Sequence, residues 1–139
     1  MLPKLLSICF VLTVSFAHSQ TSVISIPVSV DSADYFLQKG LTEKQNGRRL
    51  ESLKNFEKAA KYDANSKTIT AELAAAYFDL RRYNQARESY KKLVELGDAS
   101  AANYKQLLQL SFQLKQNEDV LFYADKLKTA DPNEKVLFY

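Results

Sequence analysis

Few residues capable of catalysis remain in this chain outside its first 19 residues. The only cysteine, Cys9, and the only histidine, His18, both lie within that stretch. The rest of the chain offers acids, bases and hydroxyls of Asp, Glu, Lys, Tyr and Ser, and the sequence has no Trp. Without a thiol or an imidazole, it lacks the usual ligands of zinc and the most common general base. We therefore expect no cofactor, no metal and no enzymatic activity.

Three other patterns that could support chemistry are also incomplete. Glu118 and Asp119 are adjacent at the start of a predicted helix, where their charges suit the helix dipole. Residues 63–67 (DANSK) begin like a calcium loop but lack the Glu that should follow twelve positions from the start. The three glycines are too few and too widely separated for a phosphate-binding loop. These patterns argue against an enzyme.

Composition favours a small helical domain. The 139 residues are 46% hydrophobic and 25% charged, a globular balance, and glycine and proline number only three each. The formal net charge is +3, and no run of Lys or Arg exceeds two residues. A charge so weak and scattered does not indicate a nucleic-acid partner.

The amino terminus has the pattern of a secretory signal peptide. Lys4 lies in a short positive region, residues 5–16 (LLSICFVLTVSF) are mostly apolar, and Ala17 and Ser19 are small residues at the −3 and −1 positions of a cleavage site. A membrane anchor is the alternative, but a spanning helix needs about 20 apolar residues. Cys9 lies in the middle of the apolar region, which does not fit a lipoprotein. We expect export, with cleavage before Gln20.

A leader follows at residues 20–32. Ile24, Ile26, Val28 and Val30 alternate with polar residues or proline, the period of an extended segment with one apolar face. Pro27 lacks a backbone donor, so such a segment would be at best an edge strand. A flexible linker is the other interpretation.

From residue 33 onward the sequence repeats every 34 residues, and each unit predicts two amphipathic helices. In the middle unit, Leu73, Ala74 and Tyr77 share one face of the first helix. The second helix carries an apolar stripe of Tyr83, Ala86, Tyr90, Leu93 and Val94. The stretch LRRYNQ between them has no glycine or proline, yet it occupies the position of QNGRRL and LKQNED in the other units. It therefore predicts a tight turn, and we expect Asn117 to be an N-cap after the third such turn.

This pattern resembles the tetratricopeptide repeat, in which an aromatic, Leu-Gly or Leu-Ala, Tyr, Ala, Phe or Tyr, and Pro recur in order. The middle unit (LAAAYFDLRRYNQARESY) matches best, and the third ends in the Asp131-Pro132-Asn133 turn. Lys39 and Glu43 depart from the pattern in the first unit. The resemblance implies an all-α fold, a right-handed α-solenoid of stacked antiparallel helix pairs. Small residues at Gly40 and Ala74 would let the paired helices approach closely, beside aromatics such as Phe56 and Tyr90.

The predicted organisation is a signal peptide at 1–19, a leader at 20–32 and a repeat domain at 33–139. Its units are 33–66, 67–100, 101–134 and the start of a fourth at 135–139. The helices are predicted at 33–45, 48–61, 68–80, 83–96, 101–114 and 117–130. We expect the natural chain to continue, because the fourth unit is only begun. The few residues that begin it cannot cover the apolar edge left by Val120, Leu127 and the third unit's first helix, so residues 1–139 by themselves should be prone to self-association through that edge.

The resemblance also implies a binding surface. In the family, the first helix of each repeat lines a concave groove that holds a peptide or a partner helix. The equivalent positions here that we predict to contact a partner are Leu37, Leu41, Lys44, Ala71, Ala75, Phe78, Asp79, Lys105, Gln109, Phe112 and Gln113. Phe78 and Phe112 occupy the same position one repeat apart, and they either bind a partner or pack on the neighbouring helix. Relatives that grip a terminal carboxylate use Lys and Asn where this chain has Leu37 and Leu41, so that mode is not expected.

The leading functional hypothesis is an exported, non-enzymatic module, periplasmic or secreted, that binds a protein or peptide. The alternative is the exported sensory or scaffold N-terminal part of a larger signalling receptor or envelope-assembly protein. An enzyme with its catalytic domain beyond residue 139 is a third class.

Two pairs of arginines, Arg48–Arg49 and Arg81–Arg82, lie in equivalent turns. They are either solvated turn residues or a basic edge for an acidic partner.

Export gives the first testable prediction. A chain expressed in a bacterium with its leader should be recovered outside the cytoplasm with Gln20 as its first residue, because the leader has the three regions that signal peptidase recognises. N-terminal sequencing measures this directly. A cytoplasmic product that retains Met1 would contradict it.

Overall fold

The computed structural model describes residues 32–133, which form six α-helices and, within that range, no strand. The helices are α1 (Ala33–Gln45), α2 (Arg49–Tyr62), α3 (Lys67–Asp79), α4 (Tyr83–Glu95), α5 (Ala101–Gln113) and α6 (Asn117–Ala130). Each predicted helix end lies within one residue of the observed one. The predicted signal peptide, the leader before Ser32 and the start of a fourth repeat lie outside the described residues.

The helices form three antiparallel pairs that stack in chain order. Within the pairs, α1 packs on α2, α3 on α4 and α5 on α6; between the pairs, α2 contacts α3 and α4 contacts α5. One pair cannot bury its apolar stripe by itself, so the stack supplies a continuous core. The expected all-α architecture of stacked helix pairs is confirmed. We call α1, α3 and α5 the A helices and α2, α4 and α6 the B helices.

A serine begins every A helix. Ser32, Ser66 and Ser100 are the N-caps of α1, α3 and α5, and each hydroxyl accepts a hydrogen bond from the backbone N–H three residues later. These bonds satisfy one of the donors that a helix start leaves without a partner. The serines recur at the same spacing as the repeat, a signal that the sequence analysis did not use.

The B helices begin differently. Their N-caps are Arg48, Arg82 and Gln116, and none makes a side-chain capping hydrogen bond. The prediction that Asn117 caps α6 is wrong, because Asn117 is the first helical residue and Gln116 precedes it. Gln116 lies at the same repeat position as the N-caps Arg48 and Arg82, so all three B helices begin at equivalent residues.

The turn within each pair depends on one residue with positive φ. Gly47, Arg81 and Lys115 have φ of 73°, 58° and 56° and lie one repeat apart. In the middle turn, Arg81 N–H donates to Phe78 C=O at 2.9 Å and Arg82 N–H donates to Tyr77 C=O at 2.8 Å. This double closure at a helix C-terminus is the Schellman motif, which normally places glycine at the left-handed position. LRRYNQ therefore makes the same turn as QNGRRL, with an arginine in the glycine's place.

The closest contact within a pair is between Gly40 of α1 and Phe56 of α2. A Cβ added at Gly40 would lie 2.5 Å from Phe56 Cδ1, far inside van der Waals contact, and Phe56 has no exposed surface. Ala74 and Ala86, at the small positions of the second pair, are also fully buried. The expectation that small residues permit the close approach is confirmed.

The third pair exchanges the sizes of these two positions. Leu108 stands where the first unit has Gly40, and Ala124 where it has Phe56. Both are partly buried. The large side chain thus comes from the A helix instead of the B helix, a volume-conserving arrangement that interiors tolerate well.

Two expectations about burial need correction. Tyr90 is only partly buried, in contrast to Phe56, the equivalent aromatic of the first pair, which has no exposed surface. Leu127 does not form an apolar edge, since it is 2% exposed within the stack. The apolar surface of α6 is instead Leu121, 71% exposed, and Phe122, 54% exposed.

The left-handed turn residues lead to a stability prediction. Replacing Arg81 by glycine should stabilise the fold by about 0.5–1 kcal/mol, because a side chain at this φ costs roughly 1–2 kcal/mol and the added flexibility of the unfolded chain offsets only part of that gain. Denaturant titration of both proteins measures the difference.

The matched control is Gly47→Ala in the first turn. A Cβ there would meet no atom within 4 Å, so only the backbone conformation is tested. It should destabilise the fold by about 1–2 kcal/mol. A loss of stability in Arg81→Gly would show that the arginine makes a compensating contact.

Candidate functional site

The predicted groove residues lie on the A helices at equivalent positions of the repeat. We call their common surface the A-helix face. Seven of them are exposed: Lys44, Ala71, Asp79, Lys105, Gln109, Phe112 and Gln113. Leu41, Ala75 and Phe78 are partly buried, and Leu37 is buried. Most of the predicted set is therefore open to a partner.

Leu37 differs from the rest because it belongs to the core. It is 8% exposed and packs in one cluster with Phe56, Ala59 and Ile69. Leu41, one turn later, packs against the same cluster. The first A helix therefore turns this apolar side inward and offers a partner mainly its polar residues.

Phe78 and Phe112 have different surroundings. The ring of Phe78 packs against Tyr83 across the turn, with centroids 5.8 Å apart. Phe112 is 58% exposed. Its equivalent of Tyr83 is Asn117, which has no ring to cover it. Intramolecular packing thus accounts for Phe78, whereas Phe112 leaves a large apolar side chain on an otherwise polar surface.

Polar contacts between successive pairs help to fix the relative orientation of the A helices. Lys44 Nζ on α1 forms an ion pair with Glu72 Oε2 on α3 at 2.7 Å. The Tyr77 hydroxyl on α3 donates to Glu57 Oε1 on α2 at 2.9 Å. These bonds join residues 20 or more positions apart, so they constrain how one pair sits on the next.

Further along the stack, Arg87 of α4 helps to fix the orientation of the third helix pair relative to the second. Its Nη1 lies 3.3 Å from Asp119 Oδ2 on α6, and its side chain is only 17% exposed. A guanidinium mostly removed from water interacts more strongly with a carboxylate than an exposed one does. The A-helix face is thus supported from the B-helix side.

A small cavity opens beside the A-helix face between the first two pairs. Its volume is about 20 Å³, and it is lined by Lys44, Arg49, Ser52, Ala76 and Asp79. The hydroxyl of Ser52 is buried and has no hydrogen-bond partner within the described residues. The space suffices for about one water molecule, which needs roughly 10–15 Å³. It is too small to hold a ligand by itself.

A wider open pocket lies between the last two pairs and is lined by Arg87, Lys91, Gln116, Asn117, Glu118 and Asp119. Within 32–133 no group of three or more Asp, Glu, His or Cys residues is arranged to hold a metal ion. Among the described helices, none is long and apolar enough to cross a membrane.

Comparison with known proteins identifies the fold. No protein-family model matches the chain. Among solved structures, it resembles the first TPR domain of Spaghetti (RPAP3), bound to the HSP90 peptide SRMEEVD, with a TM-score of 0.63 and 20% identity over 73% of this chain and 81% of that one. MamA aligns with a TM-score of 0.67 and 22% identity over 72% of this chain and 55% of its own.

A third similar structure is YrrB, described as a TPR protein with an unusual peptide-binding site. It aligns with a TM-score of 0.65 and 16% identity, covering 76% of this chain and 55% of YrrB. The chain thus spans about half the length of MamA and YrrB. These likenesses show that the chain has the tetratricopeptide-repeat fold, which confirms the resemblance noted in the sequence.

The Tyr77–Glu57 bond leads to a prediction about alkaline pH. Burial, together with the bond to Glu57, raises the pKa of Tyr77 to about 12, against about 10 for an unfolded tyrosine. Because the folded state holds this proton more tightly, the stabilisation is fully present below pH 10 and is lost as the pH rises towards 12. Denaturant titrations across that range should show a steeper loss of stability in the native chain than in Tyr77→Phe. Parallel pH curves for the two proteins would contradict this.

Proposed function

We propose that this chain, which has the tetratricopeptide-repeat fold, is a non-enzymatic interaction module that binds a segment of a partner protein along its A-helix face. The observation that carries the proposal is Phe112, a large apolar side chain 58% exposed among polar neighbours. Burying such a ring is favourable, and aromatic residues are frequent anchors of protein interfaces.

The similar structures support a peptide or protein as the partner. The RPAP3 domain was solved with a bound peptide, and YrrB is described as having a peptide-binding site. The repeat fold presents a long surface on which each pair adds one more contact position. The A-helix face here extends over three pairs, enough for an extended segment or a helix.

The chemistry of the face indicates the kind of segment. Leu37 is buried and Leu41 partly buried where carboxylate-gripping relatives have Lys and Asn. Around Phe112 the exposed neighbours Gln109 and Gln113 are uncharged, and they can hydrogen-bond a backbone. We infer an internal segment with an apolar anchor for Phe112, rather than a free carboxyl terminus.

We further propose that the module acts outside the cytoplasm. The support is the signal-peptide pattern at 1–19, with its predicted cleavage before Gln20. Its product would be periplasmic or secreted.

A second candidate is the exported sensory or scaffold part of a larger receptor or envelope-assembly protein. Leu121 supports it, since the equivalent Leu53 in the first pair is 2% exposed, whereas Leu121 is 71% exposed. This exposed apolar side of α6 offers a packing surface for a further element.

The binding prediction compares two exposed apolar residues. Peptides selected from a random library against the native chain should bind Phe112→Ala more weakly by about 2 kcal/mol, roughly 30-fold, because the variant lacks the anchor. Leu121→Ala, which truncates an exposed apolar side chain on α6, is the control and should bind as the native chain does. Calorimetry measures each affinity.

Thermal unfolding shows whether a variant loses affinity because it lacks a binding contact or because it is less stable. Phe112→Ala should melt close to the native chain, while Phe78→Ala should melt lower because it loses the contact with Tyr83. Equal binding by Phe112→Ala and the native chain would exclude the A-helix face as the site.

A further inference from the structure

The turns within the three pairs place cations along one edge of the stack. Because the A helices run in the same direction, their C-terminal ends and the turns that follow lie on a common edge. We call this the basic edge. Its residues are exposed: Arg48, Arg49, Arg81, Arg82 and Lys115.

Two of these cations occupy the left-handed turn position. Arg81 and Lys115 have φ of 58° and 56° at the place where the first turn has Gly47. Glycine is the residue that adopts this conformation without steric cost. The chain therefore keeps charged side chains at two positions where folding alone favours glycine.

Most of these cations form no stabilising polar contact inside the described part of the protein. Within residues 32–133, the side chains of Arg49, Arg81, Arg82 and Lys115 make no hydrogen bond or ion pair with another residue. By contrast, Arg48 is paired with Glu43, and off this edge Arg87 is paired with Asp119. Backbone strain at residues whose side chains have no partner within residues 32–133 indicates that these side chains act in binding.

The opposite edge of the stack carries acidic residues in its turns together with cations such as Lys61. The turns between pairs carry Asp63, Asp98 and Asp131. Asp63 and Asp131 accept hydrogen bonds from the backbone N–H of Asn65 and Asn133, each at 3.0 Å. Two of the acidic residues at that edge thus stabilise their own turns, whereas on the basic edge only Arg48 has an ion-pair partner within residues 32–133.

The narrow shape of the basic edge and the charges beside it favour an extended chain as the partner. The exposed carboxylate of Asp79 lies just before the second turn, and Glu118 lies just after the third. These flanking charges repel a broad anionic surface such as a membrane, while a single extended chain fits along the row of turns. Neighbouring turns are separated by one to two helix diameters, roughly 10–20 Å, which an extended segment covers in about three to six residues.

We propose that the basic edge binds an extended acidic segment of a partner protein, with its carboxylates paired to Arg81, Arg82, Arg49 and Lys115. The basic edge adjoins the A-helix face but consists of different residues, so variants of the two surfaces test the two proposals independently. Binding through exposed charges should weaken as salt rises, because screening shortens their range.

The test uses the full 139-residue chain and a fluorescent peptide in which Glu alternates with Gly and Ser. A peptide with Gln in place of Glu is the control. Arg81→Gly and Lys115→Gly should each weaken binding of the Glu peptide about two- to fivefold, the range expected for one exposed ion pair. Both changes relieve backbone strain, so lost affinity should accompany unchanged or higher thermal stability, which rules out unfolding as the cause.

A charge-matched control lies at the far end of α2. Lys61→Gln also removes one exposed positive charge, but near the opposite edge, and should leave the affinity unchanged. Arg81→Lys keeps the charge and should bind nearly as the native chain does. Anisotropy at low and high salt measures all of these.

Three results would overturn the proposal. One is an Arg81→Gly or Lys115→Gly variant that binds the Glu peptide as tightly as the native chain. Another is equal binding of the Gln peptide. The third is binding of anionic lipid vesicles, or salt-sensitive self-association in sedimentation, that depends on these residues while the Glu peptide does not bind.

Discussion

The close approach of the two helices in each pair is the contact on which the rest of the structure depends. Gly40 leaves room for the ring of Phe56, which is completely buried. The second pair packs on the side that remains, since Ile69 of α3 joins the cluster of Leu37, Phe56 and Ala59. A larger residue at Gly40 would push the B helix away and tilt every later pair, since each pair contacts only its neighbours.

This one-dimensional arrangement makes the two ends of the stack different. At the first A helix, Lys39 is exposed and Glu43 partly buried, at positions where Leu73 and Tyr77 face the preceding pair in the second unit. The first unit is thus more polar at these two positions than the second unit. On α6, Leu121 is exposed at a position that is buried in the first pair.

The stack also separates two surfaces with different chemistry. The A-helix face is mostly uncharged around Phe112 and suits a segment with an apolar anchor. The basic edge is a row of exposed cations that suits carboxylates. Hydrophobic burial would supply most of the binding free energy at the first proposed surface, whereas salt would screen binding at the second. One repeat scaffold thus presents two surfaces of different chemistry.

The sequence by itself determined the helices, their pairing and their stacking, because a 34-residue period of apolar and small residues is a local signal that each unit repeats. Together with the family resemblance, it also predicted which residues lie along the A-helix face, because equivalent positions recur with the repeat. It did not reveal that Leu37 is buried, that Tyr83 partly covers Phe78, or that Arg81 and Lys115 adopt positive φ. Those properties depend on which neighbour covers a side chain and on how tightly a turn closes, and only the packed tertiary structure decides both.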